Sequence, residues 1–125
     1  MIGNIIRNIL LQDAQITTIV GKEIHPIKVH ADRLPAICYR VTYHPTYQKR
    51  RSGNLEYSIE LVTFCNSYKE SWELSLLIKE ALEDARRETI EDKTLVEVRC
   101  SQIEDDYEYN IDTYGQRINF KVEVV

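Results

Sequence analysis

Between Leu55 and Ala85 the hydrophobic period changes once, from two residues to 3.6, and Asn66-Ser67 stands at the change. Over Leu55 to Cys65, Tyr57, Ile59 and Leu61 point one way while Glu56, Ser58 and Glu60 point the other, which is a strand with one wet face. Val62 and Phe64 add apolar residues to that second face, as if the far end of the strand were covered on both sides. Ser67 followed by Glu70 is an S-x-x-E capping box. Beyond it Trp72, Leu74, Leu77, Ile78, Ala81, Leu82 and Ala85 mark a long helix to about Arg87, and Glu70, Glu73, Lys79, Glu80, Glu83 and Asp84 keep its outer face wet.

The flanking segments extend this unit. Ile2, Ile5, Ile6, Ile9 and Leu10 recur at helical spacing over residues 2 to 12, and Asp13 caps a further turn holding Ile16, Ile19 and Val20. Gly21 suits the left-handed position that ends it. Pro26 and Pro35 prevent residues 22 to 45 from forming one central strand, and Leu34-Pro35 reads as a turn. After it Ile37, Tyr39, Val41 and Tyr43 alternate with Ala36, Cys38, Arg40 and Thr42. Val96, Val98 and Cys100 return to period two, a tyrosine-rich acidic loop follows, and Ile118, Phe120, Val122 and Val124 alternate with Arg117, Asn119, Lys121 and Glu123. The expectation is an α+β fold: a single, mostly antiparallel sheet with the long helix packed across one face and the N-terminal helix beside it. Residues 1–125 then make one domain, with a protruding hairpin at about 43–57.

Asp and Glu outnumber Lys and Arg by 20 to 16, so the net charge of −4 repels a polyanion, and any nucleic-acid site has to be local. The segment MIGNIIRNILLQDAQ lacks a long apolar run and a cleavage site, so it reads as part of the mature fold; no segment approaches the roughly 20 apolar residues that span a bilayer, and no membrane partner is expected. Cys38, Cys65 and Cys100 are far apart with no C-x-x-C, which reads as free thiols in strands in a reducing cytoplasm.

Reactive constellations are missing from the pattern. His25, His30 and His44 form no H-x-x-x-H and neighbour no cysteine at a metal-like spacing. Asp106, Glu108, Asn110 and Asp112 open a calcium-loop rhythm, but Ile111 and Arg117 occupy the places that need glycine and glutamate. Gly3, Gly21, Gly53 and Gly115 stand singly, so there is no phosphate loop, and no G-x-S-x-G elbow frames a nucleophile. No catalytic residue, cofactor or metal is expected, and the protein reads as a non-enzyme.

Between Tyr43 and Leu55 the polar stretch HPTYQKRRSGN is longer than a common hairpin loop. Tyr47, Gln48, Lys49, Arg50 and Arg51 sit at its centre as candidate contacts. Three readings are open: a solvated tip, a protein-assembly contact, or a small nucleic-acid-binding module using residues 48–51 with neighbouring tyrosines as stacking faces.

The order of motifs resembles the tail-completion or tail-terminator proteins of long-tailed bacteriophages and prophages. The resemblance rests on the turn of Val20, Gly21, Ile24 and Pro26, on Leu34-Pro35 opening a strand, on Ile59, Leu61 and Phe64 with Tyr68 before the long helix, and on the closing YGQRINFKVEVV. Glu23 stands where the family pattern has an arginine or comparable residue. The resemblance implies a structural protein that assembles as a ring, commonly hexameric, on the end of the tail tube, stops tube growth and helps to join the tail to the head. It implies tail-tube and head-connector proteins as partners, DNA only as cargo through a channel, and a place in the host cytoplasm during assembly and then in the virion tail. The hairpin residues become subunit contacts, with Glu104, Asp105 and Asp106 of the next subunit as the acidic counter-patch.

Overall fold

A computed structural model describes residues 2–28, 32–45, 54–90, 92–108 and 112–125 of the chain. Two short helices come first, α1 (Ile2–Leu11) and α2 (Ala14–Val20). Ile2, Ile5, Ile6 and Leu10 form the buried stripe of α1 that their spacing predicts. The side chain of Asp13 accepts from the backbone N–H groups of Gln15 at 2.9 Å and Ile16 at 3.1 Å, which starts α2; Gly21, with φ of 62°, ends it in a conformation that costs other residues a clash. Arg7 Nε donates to the Ile24 carbonyl at 2.9 Å and ties α1 to β1 (Ile24–Pro26).

Next comes the hairpin of β2 (Ala36–Tyr43) and β3 (Leu55–Phe64), paired from Ala36 opposite Phe64 to Tyr43 opposite Tyr57. Helix α3 (Tyr68–Asp84) follows, then β4 (Thr89–Ile90) and the long hairpin of β5 (Lys93–Glu108) and β6 (Thr113–Val124). The six strands form a sheet in the order β1-β2-β3-β6-β5-β4. Among the described residues every pairing except β1 against β2 is antiparallel, and a mostly antiparallel sheet is what the alternating patterns predict where one face is solvated. Helix α3 crosses β6, β5 and β3, while α1 lies on β1 and β2 and touches α3. The core fills the space between: Leu74, Ile78 and Leu82 from α3 meet Ile59, Leu61, Ile118 and Phe120, all at most 1% exposed.

Three local expectations are corrected. The acidic loop after Cys100 is strand: Glu104, Asp105 and Asp106 lie in β5, paired with Arg117, Gln116 and Gly115 of β6, and the connection is confined to the few residues between Glu108 and Thr113. Residue type misleads there, because acids are depleted in strands, yet cross-strand partners override that preference. Val96 does not share a face with Val98 and Cys100 in simple alternation, since register shifts fall between Leu95 and Glu97 and between Cys100 and Gln102. Each extra residue turns the following side chains over, so a bulged strand breaks the period of two. Helix α3 ends at Asp84 rather than near Arg87, because the Arg87 N–H leaves the helix to reach the Leu95 carbonyl at 2.5 Å while Leu95 N–H reaches Glu88 at 2.9 Å.

The Ser67 hydroxyl accepts from Glu70 N–H at 3.2 Å at the start of α3, as the capping box requires. Replacing it, Ser67→Ala, should lower stability by about 1 kcal/mol, the ordinary worth of such a cap, and chemical denaturation will measure it. A change below about 0.3 kcal/mol would mean that packing alone holds the first turn.

Candidate functional site

The two faces of the sheet differ in chemistry. One is covered by helices; the other carries Arg40, Glu56, Ser58, Glu60, Glu97, Arg99, Glu104, Asp106, Arg117, Lys121 and Glu123, in register across β2, β3, β6 and β5. Arg117 is its centre: its guanidinium lies 3.1 Å from Asp106, 3.9 Å from Glu60 and 4.0 Å from Glu104, and Glu60 is also 3.5 Å from Arg40. Such half-exposed pairs add little stability singly. As a group they fix the pattern of charge that the face presents. His44 Nε2 lies 2.6 Å from Ser58 Oγ at one end of this face, beside a hollow of about 430 Å³.

The acidic counter-patch is therefore split. Glu104 and Asp106 face outward and lean on Arg117, whereas Asp105 points to the helical side. Asp105 Oδ1 accepts from Trp72 Nε1 at 3.0 Å and Gln116 Nε2 at 3.3 Å, and Oδ2 accepts from Tyr68 Oη at 3.0 Å. Three residues adjacent in sequence share a charge, but alternation along a strand sends the middle one away from its neighbours. Tyr47, Gln48, Lys49, Arg50 and Arg51 lie outside the described residues, as do His30, Asn110 and Ile111. No group of histidines, cysteines and carboxylates able to hold a metal occurs among the described residues.

Sequence reasoning missed the support for Asp105. Gln116 is fully buried in β6; its Oε1 accepts from Ser75 Oγ at 2.8 Å, its Nε2 donates to Ser71 Oγ at 3.0 Å, and its backbone N–H donates to Thr63 Oγ1 at 2.9 Å. Ser71 and Ser75 sit on the inner face of α3 at positions where the apolar stripe has gaps, and that gap is the signal a sequence offers. The network fixes the first half of α3 against the hairpin of β5 and β6.

Burial pushes the Cys38 thiol up to about 11, with Glu60 adding to it, and pushes Cys65 up to about 12, with Glu70 adding to it; Cys100 is raised by burial as well. All three are free, but only Cys65 is fully buried. An acid whose folded value lies above its unfolded one binds more protons when folded. The contribution of Cys65 is thus complete below the ordinary value of 9.0 and is lost as the pH rises towards 12. In native protein at pH 8 iodoacetamide should leave Cys65 unmodified over hours and label it within minutes in urea, with mass spectrometry as the readout. Rapid native labelling would contradict this burial.

The family model described as "Tail completion protein gp17" matches residues 5–124, almost the whole chain. Among solved structures, a chain in "Virion of native gene transfer agent (GTA) particle" superposes with a TM-score of 0.74 at 12% identity, over 95% of this chain and 90% of that one, which is a likeness of fold. A search of curated proteins gave no match. No helix among the described residues is long and apolar enough to cross a membrane. The chain belongs to the tail-completion protein family of phage tails, and is a structural protein of tail assembly.

Proposed function

We propose that the protein forms a closed ring, hexameric as in the resemblance drawn from its motifs, on the end of a tail tube, where it stops tube growth and presents a surface for the head connector. The observation that carries this reading is the family match over residues 5–124. The fold supports it by presenting a six-stranded sheet with one charged face and two antiparallel hairpins, surfaces on which a neighbouring subunit can dock. The work is structural and needs no cofactor or chemistry. DNA passes only as cargo, and the net charge of −4 suits a channel that does not retain it. Assembly takes place in the host cytoplasm and the product stays in the virion tail.

Tyr47, Gln48, Lys49, Arg50 and Arg51 are the contacts through which one subunit meets the next, and Glu104, Asp105 and Asp106 lie on the receiving side. Charge of opposite sign speeds encounter and sets register, and its effect weakens with salt. Reversing two charges, Arg50→Glu with Arg51→Glu, should abolish ring formation at low salt, as read by native mass measurement. Unchanged rings would remove the hairpin from the interface. Tight, salt-sensitive oligonucleotide binding that disappears with Lys49, Arg50 and Arg51 would instead make this segment a nucleic-acid site.

A further inference from the structure

The end of the β5–β6 hairpin carries an aromatic hollow of about 260 Å³ at the start of α3. Tyr68 is 51% exposed and Tyr114 44% exposed, and their rings meet edge to face at 6.4 Å; Tyr107 packs on Tyr114 at 5.7 Å. Tyrosines at the surface present rigid, amphipathic faces that suit a protein contact. Asp105 lies in the same hollow, held by three neutral donors and with no lysine or arginine in ion-pair range among the described residues. Its full negative charge, with Glu70 in the first turn of α3, outweighs the half positive charge of the helix terminus. Flat π faces beside an uncompensated carboxylate favour a guanidinium, which stacks and donates in the same pose.

The register shows where such a guanidinium can come from. Leu55 of β3 is opposite Val124, while Cys65 just past β3 is bridged to Tyr114. Leu55, where the chain returns from the basic segment, and the aromatic hollow are thus at opposite ends of the sheet, ten residues of strand and on the order of 30 Å apart. Whatever conformation the chain between Pro45 and Asn54 takes, nine steps of 3.8 Å out and back reach no more than about 17 Å. A copy cannot fill its own hollow. Contact between complementary patches at opposite ends of one molecule is heterologous, and repetition of it gives a ring when the rotation closes.

We propose that the hollow of Tyr68, Tyr107, Tyr114 and Asp105 receives Arg50 or Arg51 from a second copy of the chain, making the head-to-tail joint of the ring. This deepens the assembly reading and rests on it: of the acidic counter-patch, Asp105 takes the cation, while Glu104 and Asp106 already face Arg117 of their own copy.

The test mixes two variants. One lacks the donor (Lys49→Ser, Arg50→Ser, Arg51→Ser), and the other lacks the receiving face (Tyr68→Leu, Tyr114→Leu), with leucine keeping apolar bulk. Each alone should stay monomeric where the wild type forms rings, and the two mixed should give a one-to-one dimer, since only one productive joint is possible. Asp105→Asn, whose amide oxygen still accepts from Trp72 and Gln116 and whose Nδ2 can donate to the Tyr68 hydroxyl instead of accepting from it, should weaken assembly at least tenfold at low salt and flatten its salt dependence. Rings formed by both the Tyr68→Leu, Tyr114→Leu variant and Asp105→Asn would overturn this joint and leave the ring reading intact. A wild type that stays monomeric at every concentration would overturn both.

Discussion

Gly115→Ala should unfold the protein or leave it marginal, with a loss of more than about 3 kcal/mol, beyond the range usual for overpacking. A Cβ at this position would stand 1.7 Å from the Thr63 carbonyl oxygen and 2.8 Å from its carbon. The obstacle is backbone, so no rotamer change relieves it. The neighbouring pair holds the two strands together on both sides, with Cys65 N–H donating to Tyr114 at 2.8 Å and Tyr114 N–H to Cys65 at 2.9 Å. Gly115 therefore allows the start of β6 to lie against the end of β3, next to the residues that lead into α3. Urea denaturation provides the measurement, and a variant within about 1 kcal/mol of wild type would show that the strands separate there at little cost. Gly21→Ala is a useful contrast: it meets nothing within 4 Å, so its cost comes from the positive φ of 62° alone.

The second large effect belongs to Gln116. Gln116→Ala should cost about 3 kcal/mol, because it removes one partner from each of several buried groups instead of replacing the set. Ser71, Ser75 and Thr63 are each at most 1% exposed and would lose their bonds to the amide, and Asp105 would lose one of its three donors. Hydrogen exchange should rise most in the first half of α3 and the adjoining parts of β5 and β6, the elements that the network joins. A loss below about 1 kcal/mol, or protection lost evenly along the chain, would mean that the apolar core positions α3 without it.

Much of the fold is legible in the pattern of apolar residues. The changes of period at Asn66-Ser67, the Asp13 and Ser67 caps and the positive φ of Gly21 all follow from local chemistry and recur in the structure. The alternation of Ile37, Tyr39 and Val41, and of Ile118, Phe120 and Val122, also identifies the buried face. What local pattern misses depends on partners distant in sequence. Pro26 ends a short strand whose parallel pairing with β2 no local signal reveals. The two-residue β4 exists only because Lys93 and Thr94 lie opposite it.

The candidate site is harder to read for the same reason. Acidic residues 104 to 106 are a visible cluster in sequence, yet the strand divides them between two faces and gives each different partners. Tyrosine enrichment near residue 107 is visible too, but its meeting with Tyr68 requires α3 to begin beside β6. Gln116 is one polar residue in an alternating strand, and nothing in its neighbours marks it as the centre of a network.

The most direct measurement is electron microscopy of tail tubes assembled with and without the protein. Tubes assembled with it should be of limited length and carry one ring of this chain at an end, and tubes should continue to grow when it is left out. Protein that stays monomeric at all concentrations and fails to bind tube ends would contradict this role.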